Sequence, residues 1–275
     1  MRGGDEAGEA VRFVRVPGGP RLEYVERGDR AGTPVLLLHG YTDSWRSFAT
    51  VLPHLPPTLR TIAISQRGHG DSERPATGCG MGDFAADASG VLAALGIRSA
   101  VVVGHSMGAR VAERLAADEP DVVAALVLAA AFAPGEPSDG VRELAAAVAS
   151  LTDPVDRAFA TDFQAGTAAG PLPDGVLETA VSESLKVPAF VWRAALDGFI
   201  EAGRHPPQPA DVPTMVVWGD QDAFTTRADQ ERLVRGRRGS DLVTYAGVGH
   251  ALHWECPERF ARDLATFVAR TVART

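Results

Sequence analysis

Cysteine, lysine and aromatic side chains are all scarce in this chain. Two cysteines, Cys79 and Cys256, are too few for a disulfide framework, and either can be an unpaired thiol. Lys186 is the only lysine, every other base being arginine, which removes most lysine-based mechanisms. Long apolar runs are missing as well. The longest, Val122 to Ala133, falls short of the roughly 20 residues a spanning helix needs. Met1 to Ala10 is rich in glycine and acid and lacks the apolar stretch of a signal peptide, so the expected compartment is the cytoplasm. Basic charge is in deficit, with 27 Lys+Arg against 35 Asp+Glu and a net charge of -8. Without a basic run, nucleic acid and anionic membrane surfaces are poor partners. What is present is ordinary for a folded domain: 45% hydrophobic and 23% charged residues, which excludes disorder and collagen. The 275 residues can hold two small domains or one α/β domain with an insertion. Small-molecule chemistry is the starting expectation, and nothing in the chain reports oligomeric state.

Apolar patterning then gives the organisation. Val11 to Val16 and Arg21 to Glu26 alternate apolar and charged residues around the turn Pro17-Gly18-Gly19-Pro20, which reads as an antiparallel hairpin. Val35 to Leu38, Ile62 to Ile64, Val101 to Val103 and Val123 to Leu128 are continuously apolar, as in strands covered on both faces of a parallel sheet. Helical patterns at Ser44 to Leu52, Asp83 to Leu95 and Met107 to Ala117 lie between them. Late strands at Thr214 to Trp218 and Leu242 to Tyr245 alternate with helices at Arg227 to Val234 and Pro257 to Ala273. The alternation predicts an α/β fold, a mostly parallel twisted sheet flanked by helices. Between Ala133 and Pro209 the strands stop. Four helical stretches, Val141 to Leu151, Val155 to Phe163, Val176 to Leu185 and Ala189 to Ile200, are punctuated by prolines. The expected division is a core of residues 1–132 and 210–275, with a helical lid of 133–209 inserted over the carboxyl edge of the sheet, where open α/β folds bind ligands.

The chemistry concentrates in five short segments. Gly104-His105-Ser106-Met107-Gly108 follows an apolar strand and precedes a helix, the arrangement of a nucleophile elbow, which lifts the serine hydroxyl clear of the sheet. A serine needs a base. In this kind of fold the order is nucleophile, acid, base, which leaves His250 and His253 of the seven histidines. His250, in the turn just past the last strand, is preferred. His253, where a helix would begin, reads as a surface or lid-contacting residue. The acid belongs in the turn Gly219-Asp220-Gln221-Asp222. Asp222 lies further round it and is preferred, while Asp220 is the one suited to bonding backbone amides. His39-Gly40-Tyr41 follows the first parallel strand, and the backbone N–H groups of Tyr41 and Met107 are the expected oxyanion donors. His39 reads as a buried brace and Arg67-Gly68-His69-Gly70-Asp71-Ser72 as a structural turn.

On these segments, with Gly249-His250-Ala251-Leu252-His253-Trp254-Glu255, the chain resembles the α/β-hydrolase fold superfamily, in particular its small lid-bearing serine hydrolases, from about Val11 to the C-terminus. The resemblance implies a cofactor-independent hydrolase of a carboxylic ester or lactone, with an acyl-enzyme on Ser106, His250 as base and Asp222 orienting it. It also implies two other activities found on this fold, a cofactor-free perhydrolase or haloperoxidase, and a slow-turnover ligand sensor. The departures narrow it. Ser106 excludes members with an aspartate nucleophile, Thr42 replaces the proline of many epoxide hydrolases, and Ala251 the tryptophan usual in carbon–carbon bond hydrolases. Lys186 falls in the expected lid, away from where hydroxynitrile lyases use lysine. Ser65 stands where the family often has aspartate, leaving a local hydrogen bond open. Phe132, Phe163, Trp192 and Leu252 are the pocket candidates, with Tyr41, Met107, Phe159, Phe199 and Trp254 as further apolar neighbours. Arg193 is either a carboxylate clamp or a solvated lid arginine.

Overall fold

Strands that are apolar at every position are stable only when both faces are covered, and the sheet is built around that requirement. The computed structural model describes residues 9–272 other than 238. Its eight strands are β1 (Arg12–Arg15), β2 (Arg21–Arg27), β3 (Thr33–Leu38), β4 (Leu59–Ile64), β5 (Ala100–His105), β6 (Val123–Ala129), β7 (Thr214–Gly219) and β8 (Asp241–Tyr245). They form one sheet in the order β1-β2-β4-β3-β5-β6-β7-β8. The first two strands and the β2–β4 pairing are antiparallel, and every later pairing is parallel. Alternate residues divide between two cores. Leu36, Leu38, Val102, Leu126 and Leu128 pack on one face, and Val35, Leu37, Val101, Val103 and Val127 on the other. Each large side chain buried this way stabilises the fold by roughly 1.5–3 kcal/mol.

The first face is covered by α1 (Met81–Ala94) and α2 (Met107–Asp118), the second by α9 (Pro257–Val272). On α9, Phe260, Ala261, Leu264, Phe267 and Val268 recur at helical spacing and are buried in the second core. The chain runs from β3 to β4 on one side and then crosses to β5 on the other, so the sheet order switches between β3 and β5. The loops leaving those two strands diverge there and open a crevice.

Two local expectations are corrected. Ser44 to Leu52 is not an α-helix but two 3₁₀ turns, Trp45–Phe48 and Leu52–His54. Ser44 Oγ accepts the Arg46 N–H at 3.1 Å, a tight local bond that competes with helical pairing, and Pro53 disfavours helix at Leu52. Strict alternation would expose Glu23 on β2, yet it is fully buried. Its carboxylate accepts from Trp45 Nε1 at 3.1 Å, Ser65 Oγ at 2.8 Å and the Asp71 N–H at 3.0 Å. A buried carboxylate needs such partners. Glu23 therefore supplies, from the neighbouring strand, the acid that Ser65 lacks.

Between β6 and β7 come four helices, α3 (Asp139–Ala149), α4 (Arg157–Ala165), α5 (Val176–Lys186) and α6 (Ala189–Arg204). α6 packs on α1 and α2 as well as on α3, so the insert is seated on the body. Tyr41 Oη donates to the Trp192 carbonyl of α6 at 2.5 Å, and the Ala251 N–H donates to the Thr167 carbonyl at 2.8 Å. After β7 come α7 (Arg227–Arg235) and, past β8, the short α8 (Leu252–Glu255) before α9.

Candidate active site

Only one residue separates β5 from α2, and that residue is Ser106. It turns the chain with φ 53° and ψ -113°, a left-handed conformation that costs a non-glycine residue about 1–3 kcal/mol. Its N–H is tied to the Ala129 carbonyl at 2.9 Å. The flanking glycines are packing requirements. A methyl group at Gly104 would stand 2.2 Å from the Gly108 carbonyl oxygen, and one at Gly108 would stand 2.2 Å from that of Leu38.

His250 arrives from the loop after β8. Its Nε2 lies 2.8 Å from Ser106 Oγ, and its Nδ1 2.9 Å from Asp222 Oδ2. Because Asp222 accepts, the proton sits on Nδ1 and Nε2 is free to accept the serine hydroxyl. Asp222 also accepts the Phe224 N–H at 2.8 Å, the Thr225 N–H at 3.2 Å and Thr225 Oγ1 at 2.7 Å. Burial acts to raise its pKa, but His250 and these hydrogen bonds outweigh it and hold the carboxylate below its usual range. Asp220 is elsewhere. It is exposed and accepts the Gly247 N–H at 2.7 Å, bracing the β7 turn against the loop after β8.

Three further buried histidines, His253, His105 and His39, lie near this chain. His253 is fully buried rather than on the surface, with its ring 4.3 Å from His105 and its Nε2 2.9 Å from Ser47 Oγ. His105 Nε2 donates to the His250 carbonyl at 3.0 Å, which fixes the His250 backbone. Burial, followed by the charge of His250, drives the His105 pKa down to about 3. His39 donates from Nδ1 to the Gly40 carbonyl and accepts the Gln66 N–H at Nε2, each within 2.9 Å, and so braces two loops.

A cavity of about 50 Å³ lies over Ser106. Its core side carries Tyr41, Met107, Phe132, Phe224, His250 and Trp254; its insert side carries Val141, Leu144, Phe163, Gln164, Leu196 and Phe199. Neither the Tyr41 nor the Met107 N–H donates to an acceptor among the described residues, and Met107 begins α2, where a helix leaves its first N–H groups free. Two pocket candidates stand outside. Leu252 is buried in the core under the other face of the sheet, because α8 turns it inward toward α9. Trp192 lies behind the wall, its ring centroid 5.3 Å from Tyr41 and 5.7 Å from Phe163, and it is fully buried. Arg193 is spent on the Leu151 carbonyl at 2.6 Å, inside the insert. Asp43 and Gln164 also line the cavity and bond to each other at 3.0 Å, a pairing across 121 positions with no sequence signal. Among the described residues no group of three or more His, Cys, Asp or Glu is arranged to hold a metal ion, and no helix is long and apolar enough to cross a membrane.

A family-wide sequence model of the alpha/beta hydrolase fold matches residues 33–257, and the chain belongs to that family. It is 30% identical over 278 aligned positions to a non-heme chloroperoxidase of Streptomyces lividans, covering 93% of this chain and 98% of that one. It is 32% identical over 246 positions to a pimeloyl-[acyl-carrier protein] methyl ester esterase of Neisseria meningitidis, covering 85% and 92%. Among solved structures it superposes on an esterase of Rhodococcus sp. ECU1013 with a TM-score of 0.81 at 27% identity, covering 94% of this chain and 98% of that one.

Proposed function

We propose that the protein hydrolyses a carboxylic ester or lactone through an acyl-enzyme on Ser106. The observation that carries this reading is the unbroken chain Ser106 Oγ–His250–Asp222, with links of 2.8 and 2.9 Å, at the floor of a mostly apolar cavity. Ser106 Oγ attacks the carbonyl as its proton passes to His250 Nε2. The N–H groups of Tyr41 and Met107 take the charge on the carbonyl oxygen. The imidazolium, held by Asp222, then gives its proton to the leaving alkoxide. Water repeats the sequence on the acyl-enzyme and releases the acid. Residues 133–209 act as the lid of this site and 1–132 with 210–275 as its core. The esterase relatives support the ester class. The resemblance to a chloroperoxidase supports a second use of the same intermediate, in which hydrogen peroxide replaces water and the product is a peracid.

The test is intact-protein mass spectrometry after a serine-directed fluorophosphonate, paired with turnover of p-nitrophenyl acetate. Wild type gains a single adduct, and Ser106→Ala gains none and loses about three orders of magnitude or more in kcat. Retention of most activity by Ser106→Ala would overturn the reading. Peroxide-dependent bromination in acetate buffer, measured on the same pair, reads the second use.

A further inference from the structure

Of the residues lining the cavity over Ser106, Asp43 is the only carboxylate. It follows Tyr41 by two positions and is buried. Gln164 Nε2 donates to its Oδ1 at 3.0 Å and Ser47 Oγ to its Oδ2 at 3.2 Å. Burial pushes its pKa up to about 7; the bonds from Gln164 and Ser47 and the charge of His250 pull against this, and Glu183 adds to it. A carboxylate in such a place is costly to keep, and the mechanism above gives it no task.

Its surroundings supply one. Asp43 is also the wall of a second cavity, of about 190 Å³, on its far side. The rim residues Ala49, Asp174 and Gly175 are exposed, whereas Ser47, Glu183 and Trp254 at the inner end are buried. Two polar atoms of its lining, Thr50 Oγ1 and Glu183 Oε2, are buried without a hydrogen-bond partner, and Glu183 is only 4% exposed. Buried polar atoms beside a space of this size are where ordered water binds, since about 10–15 Å³ suffices for one molecule. The insert side of the cavity over Ser106 is mostly apolar, with Val141, Leu144, Leu196 and Phe199. Asp43 and Trp254 line both cavities, and of the two only Asp43 has a carboxylate to hold a water between them.

We propose that Asp43 positions the water that hydrolyses the acyl-enzyme, and that the second cavity delivers it. The inference rests on the acyl-enzyme reading. The water directs one hydrogen to the Asp43 carboxylate and the other to His250 Nε2. As its oxygen bonds to the acyl carbon, one proton passes to His250 Nε2. When the C–Oγ bond breaks, His250 returns that proton to Ser106 Oγ and the carboxylic acid leaves. Asp43 neither gains nor loses a proton through the step.

The experiment measures acylation and deacylation separately in wild type, Asp43→Asn and Thr50→Val. Enzyme is mixed with p-nitrophenyl acetate and freed of ester, and loss of the acetyl mass from Ser106 is followed by mass spectrometry; kcat/KM is measured in parallel. Asp43→Asn loses the acetyl group about tenfold more slowly or worse, with kcat/KM within about threefold of wild type. Thr50→Val, an isosteric change in the second cavity, slows deacylation in the same direction by less. An unchanged deacylation rate in Asp43→Asn, or a fall in kcat/KM as large as the fall in deacylation, overturns the proposal. Retention of most activity by Ser106→Ala overturns the acyl-enzyme reading itself, and this inference with it.

Discussion

Asp222 shows how much a single side chain is asked to do in this site. Its Oδ2 fixes the tautomer of His250, and its remaining lone pairs are taken by Phe224 and Thr225, which hold the carboxylate in place. Asp222→Asn keeps the shape but can donate to Nδ1, which turns the imidazole's proton toward Ser106. Turnover of p-nitrophenyl acetate is expected to fall about 10⁴-fold with unchanged circular dichroism and urea midpoint. A loss below tenfold would show that Asp222 does not set the tautomer. Ser106 was legible in the sequence because the elbow is local: its two glycines, strand and helix fall within a dozen residues. His250 and Asp222 were legible through chain order. Asp43 was not, because its partners Gln164 and Ser47 meet it only in the folded molecule, one of them 121 positions away.

At the scale of elements, the insert is held by a cluster of rings. Trp192 on α6 packs edge-on against Tyr41 at 5.3 Å, and it meets Phe159 and Phe163 of α4 at 5.6 and 5.7 Å. Trp192→Ala leaves a void behind both walls of the cavity, at a cost of about 3–5 kcal/mol. The expected result is a lower urea midpoint together with a raised KM, since Tyr41 and Phe163 lose their backing. A lowered midpoint with unchanged KM would mean that the cluster supports the fold but not the cavity. The four helices of the insert were readable from apolar spacing and proline punctuation. Which of their side chains face the cavity was not, because that depends on how each helix is rotated against the sheet. The same ambiguity misplaced Leu252, whose four-residue helix has no repeating pattern to give it a face, and turned Ser44 to Leu52 from a helix into two tight turns.

At the scale of the whole molecule, buried titratable groups set the pH response. His39, His69, His105 and His253 are held neutral by burial, with His69 at about 4 and His105 at about 3. Each takes up a proton on unfolding below its ordinary value, about 6.5, so stability falls as pH drops. Asp43 works the other way: its raised pKa lets the folded state hold a proton below about 7 that the unfolded chain releases down to its ordinary value. The four histidines outnumber Asp43, so stability falls as pH drops from about 6.5 toward 4. Urea titrations at pH 7.5, 6 and 5 are expected to show midpoints falling steeply, and more steeply still in Asp43→Asn, which should exceed wild type in stability at pH 8. A flat response would mean that these histidines are protonated in the fold. The position of the insert has a further consequence during synthesis. It separates Ser106 from Asp222 and His250, and His250 follows Ser106 by 144 positions. At 5–20 residues per second the ribosome needs roughly 7–30 s to make that stretch. Until then, on the acyl-enzyme reading, Ser106 has nothing to take its proton, so the nascent chain is born inert, and any product cut short before β8 stays so.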